Sequence, residues 1–139
     1  MPPIPTASTS QLFVYGSLVD PRCLDHVLGR RHAGERLRAC LMGFRRVSTD
    51  AYPYPFIVAA ANESVDGILV MDLTRRDLEV LDEYEEVATG TYARIEVEVD
   101  AWGCGPRTMR IAAHTYVAGS KLLPLATVRR RVPPILRRA

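Results

Sequence analysis

Two short stretches of the chain could carry chemistry. The first is Tyr15-Gly16-Ser17-Leu18, at the end of the apolar run Leu12-Phe13-Val14. A buried strand that stops at Gly-Ser is either an ordinary turn or a place where successive backbone N–H groups face an anion. In the second case Gly16 removes the side chain that would keep a ligand from the backbone. The second stretch surrounds Glu85. At about 100° per residue, Leu78, Leu81 and position 85 share one stripe of a helix, and Glu79, Glu83 and Glu86 fall roughly opposite. An acid on the leucine side is either a frayed last turn in water or a carboxyl held away from water. If it is held away, three effects would raise its pKa above the ordinary value of roughly 4.3. These are burial, the like-charged neighbours Asp82 and Glu86, and the negative pole of a helix that is ending. A carboxyl tuned upward suits general acid–base chemistry near neutral pH. Together with an anion cradle it would suit a small zwitterionic substrate.

The elements that must position these groups are legible in the pattern. Residues 11–16 predict a strand. Residues 21–29 predict a short helix opened by Pro21 and stopped by Gly29. Leu37, Ala39 and Leu41 alternate inward along a strand over 35–48. Residues 51–59 are extended, because each proline pushes the residue before it toward β or polyproline conformation. A further apolar strand covers 65–73. The period then changes to that of a helix, with Thr74 as N-cap and Asp77 three residues on, close to a capping box. From Tyr92 the chain alternates again, with Ala93, Ile95, Val97 and Val99 on one face and Tyr92, Arg94, Glu96 and Glu98 on the other. Trp102-Gly103-Cys104-Gly105-Pro106 makes a turn into a partner strand that ends near Gly119. The expected architecture is α+β: a small barrel of strands with flanking helices.

The chain of 139 residues fits one domain. No stretch approaches the roughly 20 apolar residues of a membrane span. Residues 1–10, rich in Pro, Ser and Thr, predict a disordered lead-in with no secretory pattern. Cys23, Cys40 and Cys104 are odd in number and far apart, which argues for a reducing compartment, the cytoplasm. His26, His32 and His114 have no metal-ligand spacing, and no metal or cofactor is expected. All 16 acids precede residue 101, whereas residues 120–139 carry Lys121, Arg129, Arg130, Arg131, Arg137 and Arg138 and no acid. Such a basic tail binds nucleic acid or an anionic membrane, or stays solvated against the acidic body. The solvated tail is the simpler expectation, so neither nucleic acid nor a membrane is the expected partner. Lys121 is the sole lysine among 18 basic residues, as a GC-rich bacterial genome would produce.

Other residues invite a structural explanation first. Arg94 either pairs with Glu96 or Glu98 or sits near the substrate, and the ion pair is the simpler expectation. Tyr52, Tyr54 and Phe56 alternate with prolines and either rim a pocket mouth or simply pack. Tyr84 lies off the leucine stripe and is expected to be structural. Trp102 has no role that can be argued. Cys23 is near the Gly-Ser turn, but no base accompanies it, so a thiol nucleophile is not expected.

Four segments then stand together. Residues YGSL at 15–18, YPFIVAAANESVDGILV at 54–70, LDEYEEVATGTYARIEVEV at 81–99 and HTYVAG at 114–119 occur in the order, and near the spacing, of the gamma-glutamylcyclotransferase-like family. The chain resembles that family from residue 12 to about 119, so a domain over 11–119 is expected. The resemblance implies a small mixed barrel with flanking helices. It implies cleavage of γ-glutamyl amides without water: the α-amine of the substrate attacks its own γ-carbonyl, giving 5-oxoproline and a free amine. It assigns Glu85 as the acid/base and the Tyr15-Gly16-Ser17-Leu18 loop as the holder of the α-carboxylate through backbone N–H groups. It also assigns Tyr92 and Tyr116 to the pocket wall. The implied partner is a small γ-glutamyl substrate, and such barrels can form homodimers through an exposed face.

Two positions depart from the family pattern. Glu86 stands where the family often has Gly, which costs little unless φ is positive there, and a second acid could shift the base further. Leu18 stands where one branch has Asn, which weakens the case for that branch's γ-glutamyl dipeptide. A γ-glutamylamine or a γ-glutamyl-masked intermediate is equally open. The rival reading is a non-catalytic domain that binds a γ-glutamyl or amino-acid-like ligand and uses Glu85 only to pair with its ammonium.

Overall fold

A computed structural model describes residues 9–103 and 105–126. In chain order the elements are β1 (Ser10–Val14), a 3-10 turn (Ser17–Val19), α1 (Pro21–Leu28), β2 (Arg36–Thr49), β3 (Tyr52–Leu73), α2 (Arg75–Tyr84), β4 (Tyr92–Trp102) and β5 (Thr108–Ala118). The strands close into a barrel in the order β1-β3-β2-β4-β5. Two long hairpins supply most of it. One is β2 with β3, in register from Arg36↔Val70 to Thr49↔Tyr52. The other is β4 with β5, from Tyr92↔Ala118 to Trp102↔Thr108. Strand β1 closes the ring, antiparallel to β3 and parallel to β5 through Leu12↔His114 and Phe13↔Thr115. The expected mixed barrel with helices is the fold observed.

Period-two alternation along β1 builds two cores from one strand. Phe13 and Tyr15 point into the barrel with Leu41, Ile57, Leu69 and Val99. Leu12 and Val14 point the other way, into a layer with Leu24 of α1 and Leu78 and Leu81 of α2. The crossing is tight: a Cβ at Gly67 would lie 2.3 Å from the carbonyl oxygen of Val14, so β3 needs glycine where β1 passes over it.

Strand β3 is one run of 22 residues, where the sequence suggested two separate extended pieces. Residues 60–64 join them. They lack apolar alternation because they are half-exposed or exposed in this part of the hairpin. Near here the β2–β3 register shifts between Met42 and Phe44, with Gly43 at φ 87°, a bulge that bends the pair.

Helix α2 starts as its sequence dictates. The Asp77 N–H donates to Thr74 Oγ1 at 3.0 Å, and the Thr74 N–H donates to Asp77 Oδ2 at 2.9 Å, a complete capping box. Arg30 also holds the Asp77 carboxylate. Buried Leu78 and Leu81 fasten the helix to the barrel, each contributing roughly 1.5–3 kcal/mol. The helix therefore delivers its last turn to a fixed place. Helix α1 has Asp20 as N-cap, Pro21 in its first turn and Gly29 at φ 75° as C-cap.

After β5, Leu122 and Ala126 are buried in the layer between helices and barrel. The Lys121 N–H donates to the Gly90 carbonyl at 3.0 Å. The packed chain thus continues past Gly119. Residues 1–8 of the expected lead-in 1–10 and the arginines of the basic tail lie outside the described residues, and Ser10, expected in the lead-in, opens β1. Among the described residues no helix is long and apolar enough to cross a membrane.

Candidate active site

A cavity of about 200 Å³ opens where β1 ends, and it gathers residues from six elements. Tyr15, Gly16, Ser17 and Leu18 form one wall. The end of α2 brings Tyr84, Glu85 and Glu86. Strand β3 adds Tyr52, Tyr54 and Pro55, and the paired ends of β4 and β5 add Tyr92 and Tyr116. All seven site residues expected from the sequence therefore meet on one cavity.

The loop wall is a tight turn. The Val19 N–H donates to Gly16 O at 3.0 Å and the Asp20 N–H to Ser17 O at 3.2 Å. The N–H groups of Ser17 and Leu18 have no partner among the described residues, as the first donors of any helical turn lack one within the turn. Gly16 sits at a close approach: its φ is −125°, and a Cβ there would press on Pro55 Cγ at 3.3 Å.

The tyrosines form a braced frame. Tyr15 donates to the Tyr116 carbonyl at 2.6 Å, Tyr92 to the Pro55 carbonyl at 2.8 Å, and Tyr116 to Asp82 Oδ1 at 2.7 Å. Burial is the first cause that raises the pKa of each above the usual phenol range. Near neutral pH these hydroxyls keep their protons and define the shape of the cavity.

Glu85 differs from them. It is half-buried at the C-cap of α2, and its N–H donates to Leu81 O at 2.8 Å. Its carboxyl has no hydrogen bond or ion pair with any described residue. Burial pushes its pKa up to about 7. Of the three effects expected, burial is the one that acts. Asp82 spends its charge on Arg94, with Nε–Oδ1 at 2.8 Å and Nη2–Oδ2 at 3.1 Å. Glu86 Oε1 accepts from Thr91 Oγ1 at 2.9 Å. Both acids are drawn toward partners of their own.

Glu86 has φ 55°, in the left-handed region. A side chain there costs on the order of 1–2 kcal/mol, which a glycine would avoid. The chain makes this turn to leave α2: the Val87 N–H returns to Asp82 O at 3.0 Å and the Thr91 N–H to Glu86 O at 3.2 Å.

Some sequence expectations are corrected. Arg94 forms its ion pair with Asp82, not with Glu96 or Glu98, because the start of β4 runs beside α2. Arg94 Nη1 also donates to His114 Nδ1 at 3.1 Å. Tyr84, expected to be structural, lines the cavity with its hydroxyl 3.5 Å from Ser17 Oγ. Phe56 is fully buried in the core, while Tyr52 and Tyr54 line the cavity, their rings edge to face at 5.9 Å. In the sequence Asp82 stands out only as a like charge near Glu85. Its task of holding Tyr116 and Arg94 depends on contacts 34 and 12 residues away, and no local signal marks it.

Residues 12–133 match the family model described as gamma-glutamyl cyclotransferase, AIG2-like, and the chain belongs to that family. AIG2-like protein C from Arabidopsis thaliana is 32% identical over an alignment of 101 residues that covers 66% of this chain and 58% of that protein. The chain thus spans little more than half the length of this curated relative. A solution structure of an Arabidopsis thaliana protein, 27% identical, superposes with a TM-score of 0.71 over 86% of this chain and 68% of that one. A solved gamma-glutamyl cyclotransferase, 19% identical, shares the fold with a TM-score of 0.64 over 80% of this chain and 67% of that one.

Proposed function

We propose that this protein is a γ-glutamyl cyclotransferase with Glu85 as its acid/base. The observation that carries this reading is the pairing of an unpartnered carboxyl with a pKa of about 7 and the Gly16–Leu18 turn on one small cavity. The N–H groups of Ser17 and Leu18 take the α-carboxylate of the substrate. Tyr92, Tyr116 and Tyr15 shape the wall against which a flexible γ-glutamyl chain folds back. Much of the rate then comes from holding the α-nitrogen against the γ-carbonyl.

In the reaction Glu85, as carboxylate, takes a proton from the α-ammonium. The freed amine attacks the γ-carbonyl carbon, and a C–N bond forms as the carbonyl becomes an oxyanion. The ring nitrogen passes its second proton to the departing nitrogen, and the oxyanion collapses. The bond to the departing nitrogen breaks as Glu85 hands its proton to that nitrogen. Products are 5-oxoproline and an amine that leaves as its ammonium. No water enters, and Glu85 ends as it began. A pKa near 7 suits a group that is base in one step and acid in the next. The half-buried free thiols of Cys23 and Cys40 suit a reducing, cytoplasmic setting.

The test is release of 5-oxoproline from a panel of γ-glutamyl amides by wild type and by Glu85→Gln. Wild type is expected to release it, and the variant to lose the activity. Tight binding of γ-glutamyl compounds with no amine released would instead favour a binding domain.

A further inference from the structure

The cavity has a charge problem. Its charged lining residues are Glu85 and Glu86, both acidic, yet the substrate of the reading above brings an α-carboxylate. Where they are ionised, these two acids oppose that carboxylate.

Positive charge stands outside the lining: Arg46 acts on the Tyr15 hydroxyl, and Arg36 lies behind the loop. Arg36, the first residue of β2, donates from Nη2 to the carbonyl oxygens of Val19 at 2.5 Å and Leu18 at 3.5 Å. These carbonyls belong to the same turn whose N–H groups at Ser17 and Leu18 are unpartnered. In a helical turn carbonyls point one way along the axis and N–H groups the other. A donor gripping the carbonyl end therefore fixes where the N–H end points.

Arg36 is otherwise poorly served. Nη1 is buried without a hydrogen-bond partner, and among the described residues its guanidinium forms no ion pair. Burial holds its pKa below the usual guanidinium value, although Asp25 and Asp20 favour the charge. A charge half-withdrawn from water, with an orphaned donor, is costly to keep for packing alone. The stem would pack as well with a thioether at its end.

We infer that Arg36 is a positioning residue for the α-carboxylate subsite. It holds the Gly16–Leu18 turn by its carbonyls so that the Ser17 and Leu18 N–H groups face the cavity. Its charge, near Asp25 and Asp20 but in no ion pair with either, adds positive potential behind the turn. This inference rests on the cyclotransferase reading and adds to it the source of carboxylate selectivity.

The test compares a γ-glutamyl amide bearing its α-carboxylate with the same compound as an α-carboxamide. Both can cyclise, but only the first carries the charge. Wild type is expected to prefer the carboxylate. Arg36→Met is expected to narrow that preference in kcat/KM by about tenfold, mainly through KM of the carboxylate substrate, the size of one partly screened charge interaction. A structural prop would lower turnover of both compounds alike. Equal losses on both, or an unchanged preference, would overturn the assignment. If Arg36→Met does not fold, Arg36→Lys reads the same ratio with the charge kept and the double grip on the turn lost. Wild-type protein that turns over neither compound would sink the cyclotransferase reading, and this assignment with it.

Discussion

The two walls of the cavity treat polar groups in opposite ways. On the tyrosine wall every buried hydroxyl has a partner: Tyr15 on a carbonyl, Tyr92 on a carbonyl, Tyr116 on Asp82, with Asp82 closed by Arg94. On the wall made by the end of α2, Glu85 is half-buried with no partner, and its neighbour Glu86 sits in a left-handed conformation. One wall is built for rigidity, and the other holds an unsatisfied group in a costly place. Buried polar groups are normally paired, and in the proposed function the substrate ammonium completes this unpaired one.

The largest expected effect comes from breaking the rigid wall at its hub. Asp82→Ala removes the partner of both Arg94 and Tyr116. It is expected to lower stability by about 2–4 kcal/mol, because both groups lie partly out of water and lose their acceptor. Denaturant unfolding measures it. Removing Glu85, on the other wall, has the opposite sign. Its folded pKa of about 7 lies above the ordinary 4.5, so between these values the folded state binds more protons than the unfolded one. Stability therefore falls as pH rises through that window, and the cost is fully present above it. Glu85→Gln is expected to be more stable than wild type at pH 8 by about 1–3 kcal/mol, after allowance for its partial exposure. The gain should vanish below about pH 4.5, where wild type is protonated in both states. Thermal melts at the two pH values read both signs.

Smaller changes sharpen the contrast. Tyr116→Phe deletes one hydrogen bond to a charged acceptor that keeps Arg94, and should cost about 1–2 kcal/mol by the same unfolding measurement. Glu86→Gly relieves the left-handed backbone and loses the bond to Thr91. A net stabilisation of about 0.5–1 kcal/mol is expected, seen as a raised unfolding midpoint.

Much of this was legible where the cause is local. Thr74 and Asp77 announce the start of α2, and the leucine stripe places Glu85 toward the barrel. The Gly-Ser stop after an apolar run marks the loop. Alternation reveals the β4–β5 hairpin. What escaped has non-local causes. The burial of Tyr92 and Tyr116 depends on the helical layer that covers the barrel at this end, which the charges of Arg94, Glu96 and Glu98 further along β4 obscure. Asp82 reads as one more acid in an acidic run until Arg94 is brought beside it. The middle of β3 has no alternation to show, because hairpin pairing rather than burial holds it. Arg36 is an ordinary strand arginine until the 3-10 turn is folded over it.

The most direct test of the central claim is the pH dependence of kcat/KM for 5-oxoproline release, with wild type beside Glu85→Gln. The expected result is an acid limb with an apparent pKa of about 7 in the wild type. In the variant, activity is expected to fall by about 10²–10⁴, with the fold intact. Release that survives Glu85→Gln, or an acid limb at the ordinary carboxylate value, would contradict the assignment of Glu85 as the acid/base.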